Sequence, residues 1–404
     1  VKQFYLNAIK YKESNKDSII IEKRLKIMNL ISVQQIPHWK NKSKDFLDSL
    51  EGSELIALIY SLCQSLLSEK PSLEEQCAEW LGINFLSLEK SLFTLSKVTK
   101  KDLYNLQETI SMRSSKNKNL KDSSLNLFFA ASTVPITPLT EIIKSLLART
   151  PIICRIPENY SLEFYTTLFK KAPARLKDCF EFVNWPSSFE EETKAFINEA
   201  DCIIVHGSDE TVLSLKSLSA NKQFLGFGHK ASFTVCRPLA GLVDNVFEDI
   251  KAFQQNGCLS PQCIFCLNFG SDQIMEFGKA LAEKLDNFHF VLSPAEAYKK
   301  QTFLEKGALK ENCLILGNSV IISQENKNFS YSCGNGLVWL KPLNNLEELV
   351  PAVARLNERI GAIGHNLLTE DQMLLERMFA TIRICEIGQM QYPKLDWMQE
   401  PTHI

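Results

Sequence analysis

Asp201-Cys-Ile-Ile-Val-His206-Gly207-Ser208-Asp209-Glu210-Thr211 joins a short β-branched run directly to a glycine and a set of helix-starting residues. Asp201 to His206 is a short apolar run without polar alternation inside it, so it reads as a strand of a sheet covered on both faces. Gly207-Ser208 turns the chain, and Asp209 and Glu210 suit the positive end of a helix running to about Leu218. The same unit recurs upstream. Leu127 to Ala131 reads as a strand before a helix over Ile136 to Arg149, and Pro151 to Ile156 precedes a helix over Leu162 to Lys171. Cys179 to Val183 likewise precedes a helix over Phe189 to Glu199. Short apolar strands alternating with helices indicate an α/β fold, a parallel sheet covered on both faces. Ligands of such sheets lie at the carboxyl ends of the strands.

Past Lys230 the alternation resumes. Strands are expected at Cys263 to Phe269, Leu314 to Ile322, Leu337 to Pro342 and Ile360 to Gly364, with helices at Asp272 to Leu285, Pro294 to Lys306 and Leu346 to Leu356. Thr381 to Trp397 is extended, since Gly388 and Pro393 interrupt any helix. Upstream, residues 1 to about 120 are expected to be mostly helical, over Lys44 to Leu67, Leu73 to Leu81 and Leu86 to Leu106, with a polar loop over Arg113 to Ser123. His38 and Trp39 read as a surface aromatic pair or a ligand contact. The chain thus divides into a helical region over 1–120, two alternating α/β blocks over 121–230 and 231–380, and an extended segment over 381–404.

The totals exclude more than they assign. A length of 404 residues allows two or three domains, and a net charge of -2 gives no global argument for nucleic acid or an anionic membrane as partner. Val1 to Lys16 has no apolar core for a secretory signal, and no apolar run reaches membrane-spanning length, so a cytoplasmic protein is expected. Twelve cysteines are too few to staple so long a chain. Cys154, Cys202 and Cys313 sit in apolar segments, as reduced buried thiols do.

Cys258 is different. It lies in Gln254-Gln255-Asn256-Gly257-Cys258-Leu259-Ser260-Pro261-Gln262-Cys263, behind a glycine and ahead of a Ser-Pro pair that begins a turn or a new helix. The positive end of a following helix would lower the thiol pKa, and its N–H groups could hold an oxyanion. Cys258 is therefore read as a nucleophile. The C-x4-C-x2-C spacing of Cys258, Cys263 and Cys266 also fits an iron–sulfur or zinc site. Residues three apart on a strand face opposite ways, however, so Cys263 and Cys266 could not share a metal, and none is expected.

Three strand-end loops could serve such a thiol. Ser132-Thr133-Val134-Pro135 offers Thr133 as an oxyanion donor or as an N-cap for the next helix. Cys154-Arg155-Ile156-Pro157 offers Arg155 to a ribose phosphate. Gly207, Ser208 and Thr211 could receive a pyrophosphate at a helix start, although no GxGxxG fingerprint is present.

Together these loops resemble the LuxC-type acyl-CoA reductases of the aldehyde dehydrogenase superfamily. The motifs that carry the resemblance are Ala131-Ser-Thr-Val-Pro135, Ile153-Cys-Arg-Ile-Pro157, Gly207-Ser-Asp-Glu-Thr211, Gly226-Phe-Gly-His-Lys-Ala-Ser-Phe233, Gly257-Cys-Leu-Ser-Pro-Gln262 and Arg383 to Pro393, within a stretch from Leu125 to Trp397. The resemblance implies an aldehyde dehydrogenase-like fold, with a Rossmann-type dinucleotide-binding domain over 121–230, an α/β catalytic thiol domain over 231–380 and a helical N-terminal region over 1–120. It implies NADPH-dependent reduction of a long-chain fatty acyl-CoA to the aldehyde through an acyl group on Cys258. Thr133 stands where the superfamily has an oxyanion asparagine, Arg155 where it has a ribose-binding lysine, and Gly226 where hydrolytic members have a glutamate base. Gly228 and His229 are expected near the cofactor with Gly207 and Ser208. An acyl-protein synthetase or acyl-transferase is the implied partner, and a homo-oligomer is left open. The rival readings are a catalytically weakened acyl- or partner-binding scaffold, favoured by Thr133, and a CoA-independent aldehyde dehydrogenase.

Overall fold

Asn126–Phe129 is buried at every position and forms β1, the central strand of the first sheet. A computed structural model describes residues 31–68, 73, 85–116, 123–158, 160–309 and 313–402. The expected segments Val1 to Lys16 and Leu73 to Leu81 fall wholly or almost wholly outside those residues. Beside β1 lie β2 (Ile152–Arg155), β3 (Phe180–Val183), β4 (Cys202–His206) and β5 (Gln223–Phe227), in the order β3-β2-β1-β4-β5, all parallel. The chain reverses its direction of winding between β1 and β4, so their carboxyl ends leave a crevice. Alternate side chains go to opposite covers. Phe128, Cys154 and Ile204 enter one cluster, and Leu127, Phe129, Ile153 and Val205 another.

The first cover is where the N-terminal helices belong. α1 (Ile36–Ser49), α2 (Gly52–Ser65), α3 (Phe85–Ser96) and α4 (Lys100–Lys116) precede the sheet, and α5 (Thr137–Leu147) follows β1. Leu55, Ile59, Leu62 and Leu103 share one core with Leu139, Ile143 and Phe128. The helical spans expected over Lys44 to Leu67 and Leu86 to Leu106 are each two helices. The first breaks at Leu50-Glu51, both in extended backbone, and the second at Val98-Thr99, where Asp102 accepts from the Thr99 N–H at 2.8 Å and starts α4 afresh. Arg113 continues α4 rather than opening a loop. His38 is exposed on α1 while Trp39 packs on the second cover. That cover consists mainly of α6 (Glu190–Glu199) and α7 (Asp209–Leu218).

The second sheet contains β6 (Ala231–Cys236), β7 (Pro261–Leu267), β8 (Cys313–Leu316), β9 (Val320–Ser323), β10 (Val338–Leu343), β11 (Ile360–His365) and β12 (Arg383–Glu386), in the order β12-β11-β6-β7-β10-β9-β8. Only β8 runs antiparallel to its neighbour. The single strand expected over Leu314 to Ile322 is this β8–β9 hairpin, because Gly317 takes a positive φ of 57° and reverses the chain. Leu346 to Leu356 is likewise a broken series of short helical turns, kinked at Asn357. Cys263 packs on one face of β7 and Cys266 on the other. Cys313 is half-buried at the sheet edge rather than in a core. α8 (Leu242–Lys251), α9 (Ser271–Asn287) and α10 (Pro294–Ala308) complete the layers, and none of the described helices is long and apolar enough to cross a membrane.

Candidate active site

The carboxyl ends of β1, β2, β4 and β5 open into a cleft of about 740 Å³ whose opposite wall is the turn before β7. Thr133, Arg155, Gly207, Ser208, Thr211, Gly228, His229 and Cys258 all line it. Residues from five separate segments are therefore brought to one space.

Each is held by its own element. Ser208 is the N-cap of α7, its side chain accepting the Thr211 N–H at 3.3 Å, and Gly207 donates to the Phe227 carbonyl at 3.2 Å. Arg155, at the end of β2, donates from Nη2 to the Trp185 carbonyl at 2.7 Å, with Glu158 3.9 Å away. The Gly228 N–H donates to Thr402 Oγ1 at 3.1 Å, and the His229 N–H to Asp209 Oδ1 at 2.8 Å. Thr133 is exposed in the loop after β1 and does not cap α5, whose N-cap is Ile136 with no side-chain bond. Thr133 thus lines the cleft without serving as a cap.

Cys258 departs from expectation in one respect. No helix follows it, because Pro261 opens β7 directly. The thiol therefore has no helix end to stabilise its charge. Its turn is shaped from behind instead, where Phe253, Gln254 and Gln255 all take positive φ, a conformation costing about 1–3 kcal/mol per non-glycine residue. Gln255 holds this strained turn: Nε2 donates to the carbonyls of Pro261 (2.9 Å) and Leu337 (3.0 Å), and Oε1 accepts from the N–H groups of Gly336 (2.7 Å) and Leu337 (3.1 Å). Ser232 Oγ donates to the Cys258 carbonyl at 2.7 Å. The residue is exposed, but to the cleft rather than the outer surface, so the protein around it still pushes the thiol pKa up, opposed by the charge of Lys230.

Cys258 also faces a second cavity of about 260 Å³. Ile110, Ile136, Leu225, Phe253, Leu395 and Trp397 give it a largely apolar wall. Val134, His206, Phe227, Gly257 and Gln399 line both spaces beside Cys258. His206 sits edge-on to Phe128 and Phe227, with ring centroids 5.0 and 4.8 Å away, and burial pushes its pKa down to about 4 against the pull of Glu141. Glu141 itself pairs with Lys144 at 2.9 Å.

Three contributors escaped the sequence. His206 closes a strand and Lys230 stands within a family motif, with no residue-level signal for either, and Gln399 lies in a stretch with no motif. A third space, of about 570 Å³, adjoins the cleft at Arg155, Ser187 and Thr211, with Phe129, Trp185 and Leu215 as apolar walls. The set suits a dinucleotide: an aromatic-walled slot, an arginine at its mouth, and glycine and serine at the start of a ten-residue helix. Groups of three or more metal-binding side chains do not occur among the described residues.

The sequence model of the acyl-CoA reductase (LuxC) family matches residues 112–397. Comparison with curated proteins gives no match. Among solved structures the protein is similar to an acetylating aldehyde dehydrogenase from Geobacillus thermoglucosidasius, at 14% identity and a TM-score of 0.58 over 89% of this chain and 88% of that one. It is similar also to a methylmalonate-semialdehyde dehydrogenase from Oceanimonas doudoroffii, at 9% identity and a TM-score of 0.63 over 90% and 84%. A NAD-dependent aldehyde dehydrogenase from Sinorhizobium meliloti aligns at 11% identity and a TM-score of 0.64 over 88% and 80%. At these identities the likeness is one of fold, the aldehyde dehydrogenase fold. The family match takes in more than half of the chain and every strand of both sheets, so the protein, an oxidoreductase of acyl-CoA and aldehyde that works with a nicotinamide cofactor, belongs to the acyl-CoA reductase (LuxC) family.

Proposed function

We propose that the protein reduces a long-chain fatty acyl-CoA to the aldehyde with NADPH, through an acyl group carried on Cys258. One observation carries the reading: Cys258 stands where a cleft lined by many polar residues meets a more apolar cavity. An acyl chain in the apolar cavity would present its carbonyl carbon to the sulfur, with CoA and dinucleotide on the polar side.

The Cys258 thiolate would form a C–S bond to the acyl carbon while the bond to the CoA sulfur breaks, and CoA leaves as a thiolate that takes up a proton. Thr133 and the Cys258 N–H are the donors proposed for the oxyanion. Bound at Gly207, Ser208, Thr211, Gly228, His229 and Arg155, the reduced nicotinamide would supply a hydride to the same carbon. The carbon–Sγ bond then breaks, aldehyde leaves and Cys258 is returned as thiolate. Acyl-CoA, NADPH and a proton thus become aldehyde, NADP and CoA.

Competing hydrolysis lacks a carboxylate base. No Asp or Glu lines the cleft among the described residues, and Glu141 in the apolar cavity is paired with Lys144. His206, with its pKa near 4, is a weak base. Nor does the fold leave room for a glutamate at 226, since a Cβ there would lie 2.5 Å from the Val212 side chain. This favours reduction over a CoA-independent dehydrogenase.

Purified protein supplied with long-chain acyl-CoA and NADPH is expected to form aldehyde, and its intact mass to rise by one acyl group when NADPH is withheld. Absence of both would reject the reading in favour of a scaffold. NADH is the second cofactor reading, because Glu190 and Glu210 line the space beside Arg155 and could accept from ribose hydroxyls. Arg155→Leu distinguishes them: with a 2′-phosphate at Arg155, it should weaken NADPH about tenfold or more and leave NADH nearly unchanged.

A further inference from the structure

Lys230 is buried just ahead of β6, where an ammonium group needs partners. Its Nζ donates to the main-chain carbonyl of Glu400 at 3.0 Å. The charged groups that face it are Cys258, Glu400 from the C-terminal segment and Glu358 from the turn before β11. Burial lowers the Lys230 pKa, and all three of these groups oppose that by favouring the ammonium form. Lys230 lines the same cleft as Cys258. The two backbones are close, for a Cβ placed on Gly361 would lie 2.9 Å from the Cys258 carbonyl oxygen and 3.5 Å from Lys230 Cβ.

The support for Lys230 is built by the C-terminal segment. The Thr402 N–H donates to the Gly226 carbonyl at 2.9 Å, Thr402 Oγ1 accepts from Gly228 at 3.1 Å, and Glu400 pairs with Arg113 of α4 at 3.0 Å. These contacts fix the Glu400 carbonyl over the loop that bears Lys230. Among the described residues no helix end reaches Cys258, and no other charged group is set against its thiol.

We propose that Lys230 is the counter-ion of the Cys258 thiolate, held to that task by the Glu400 carbonyl, so that the C-terminal segment completes the nucleophile. The proposal rests on the reading of Cys258 as nucleophile and makes Lys230 a positioning residue rather than a catalytic one.

The test is the pH dependence of Cys258 alkylation by iodoacetamide, read by mass spectrometry of the peptide that contains it, in the full chain and in K230Q, K230M and K230R. Glutamine keeps a donor for the Glu400 carbonyl and removes only the charge. The alkylation midpoint of K230Q is expected to lie about one pH unit or more above that of the unsubstituted protein. Below both midpoints its rate should be about three- to fourfold lower, because the tenfold loss of thiolate is partly offset by the greater nucleophilicity of the more basic thiol. K230R should keep the original midpoint, and K230M replaces K230Q where glutamine disturbs folding. Equal midpoints in the unsubstituted protein and in either folded neutral variant overturn the proposal, as does an equal upward shift in K230R. Alkylation needs neither acyl-CoA nor cofactor. A Lys230-dependent profile in a protein that forms no aldehyde would therefore sink the reductase reading and leave this one standing.

Discussion

At the scale of single residues, Cys258 is the sulfur that both cavities share, and its removal is the sharpest expectation. Cys258→Ala should abolish both the acyl adduct and aldehyde formation while leaving the thermal midpoint almost unchanged, because the side chain projects into open space. An adduct persisting at another residue would reject the assignment. Thr133 gives a finer prediction. It is exposed and caps nothing, so Thr133→Val should fold normally, lower kcat about a hundredfold and leave KM for acyl-CoA nearly unaltered. Thr133→Ser should retain most activity, and equal kcat in Val and Ser would remove the hydroxyl from the mechanism. Both positions were visible in the sequence because small or reactive side chains at strand ends carry a local signal. Lys230 was not, since what distinguishes it is burial beside a thiol from a turn 28 positions later.

At the scale of elements, the turn over Phe253 to Gly257 decides where the sulfur points. Its three left-handed residues persist because Gln255 satisfies four main-chain groups from two other segments. Gln255→Ala would strand the Gly336 N–H, at a cost of about 1–3 kcal/mol for a buried donor left unsatisfied, whereas the Leu337 N–H keeps the Gly334 carbonyl at 3.2 Å. A lowered urea midpoint together with a lower rate of Cys258 alkylation is expected. A stable variant that alkylates normally would show the strain to be held elsewhere. Nothing in Gln254-Gln255 announces this, because a run of positive φ without glycine has no local signature. Strand-and-helix alternation, by contrast, was legible at β1 to β4, where each strand is a short apolar run closed by a turn. It failed at the β8–β9 hairpin, where nine mostly apolar residues hide Gly317, and it passed over β5 and β6, whose Gly226-Phe-Gly-His-Lys230 loop dominates the local pattern.

At the scale of the whole molecule, the segment after β12 ties the parts together. It lines the apolar cavity with Leu395 and Trp397, meets α4 through Glu400 and reaches the β5–β6 loop through Thr402. Its extended form was expected from Gly388 and Pro393, but its anchoring needed three dimensions. Asp249 on α8, fully buried, accepts the N–H groups of Gly388 at 2.6 Å and Met390 at 2.9 Å, beside Arg383, which donates to the carbonyls of Gln389 and Met390. Burial outweighs these donors and pushes the Asp249 carboxyl up to about 7. Between an unfolded pKa near 4 and that value, the unfolded chain has released the proton that the folded protein still holds. Stability from this group is therefore complete at the acid end, falls as pH rises through that window by at most about 1.4 kcal/mol per pH unit, and levels off above it. Asp249→Asn cannot titrate and lacks one of the two acceptors, so the unsubstituted protein should be the more stable at pH 5. Its advantage, measured by urea unfolding, should shrink by about 2 kcal/mol by pH 7. An advantage that stays constant from pH 5 to 7 would mean that the two N–H donors and Arg383 keep Asp249 ionised throughout, and that the anchor of the C-terminal segment is a carboxylate at every pH in that range.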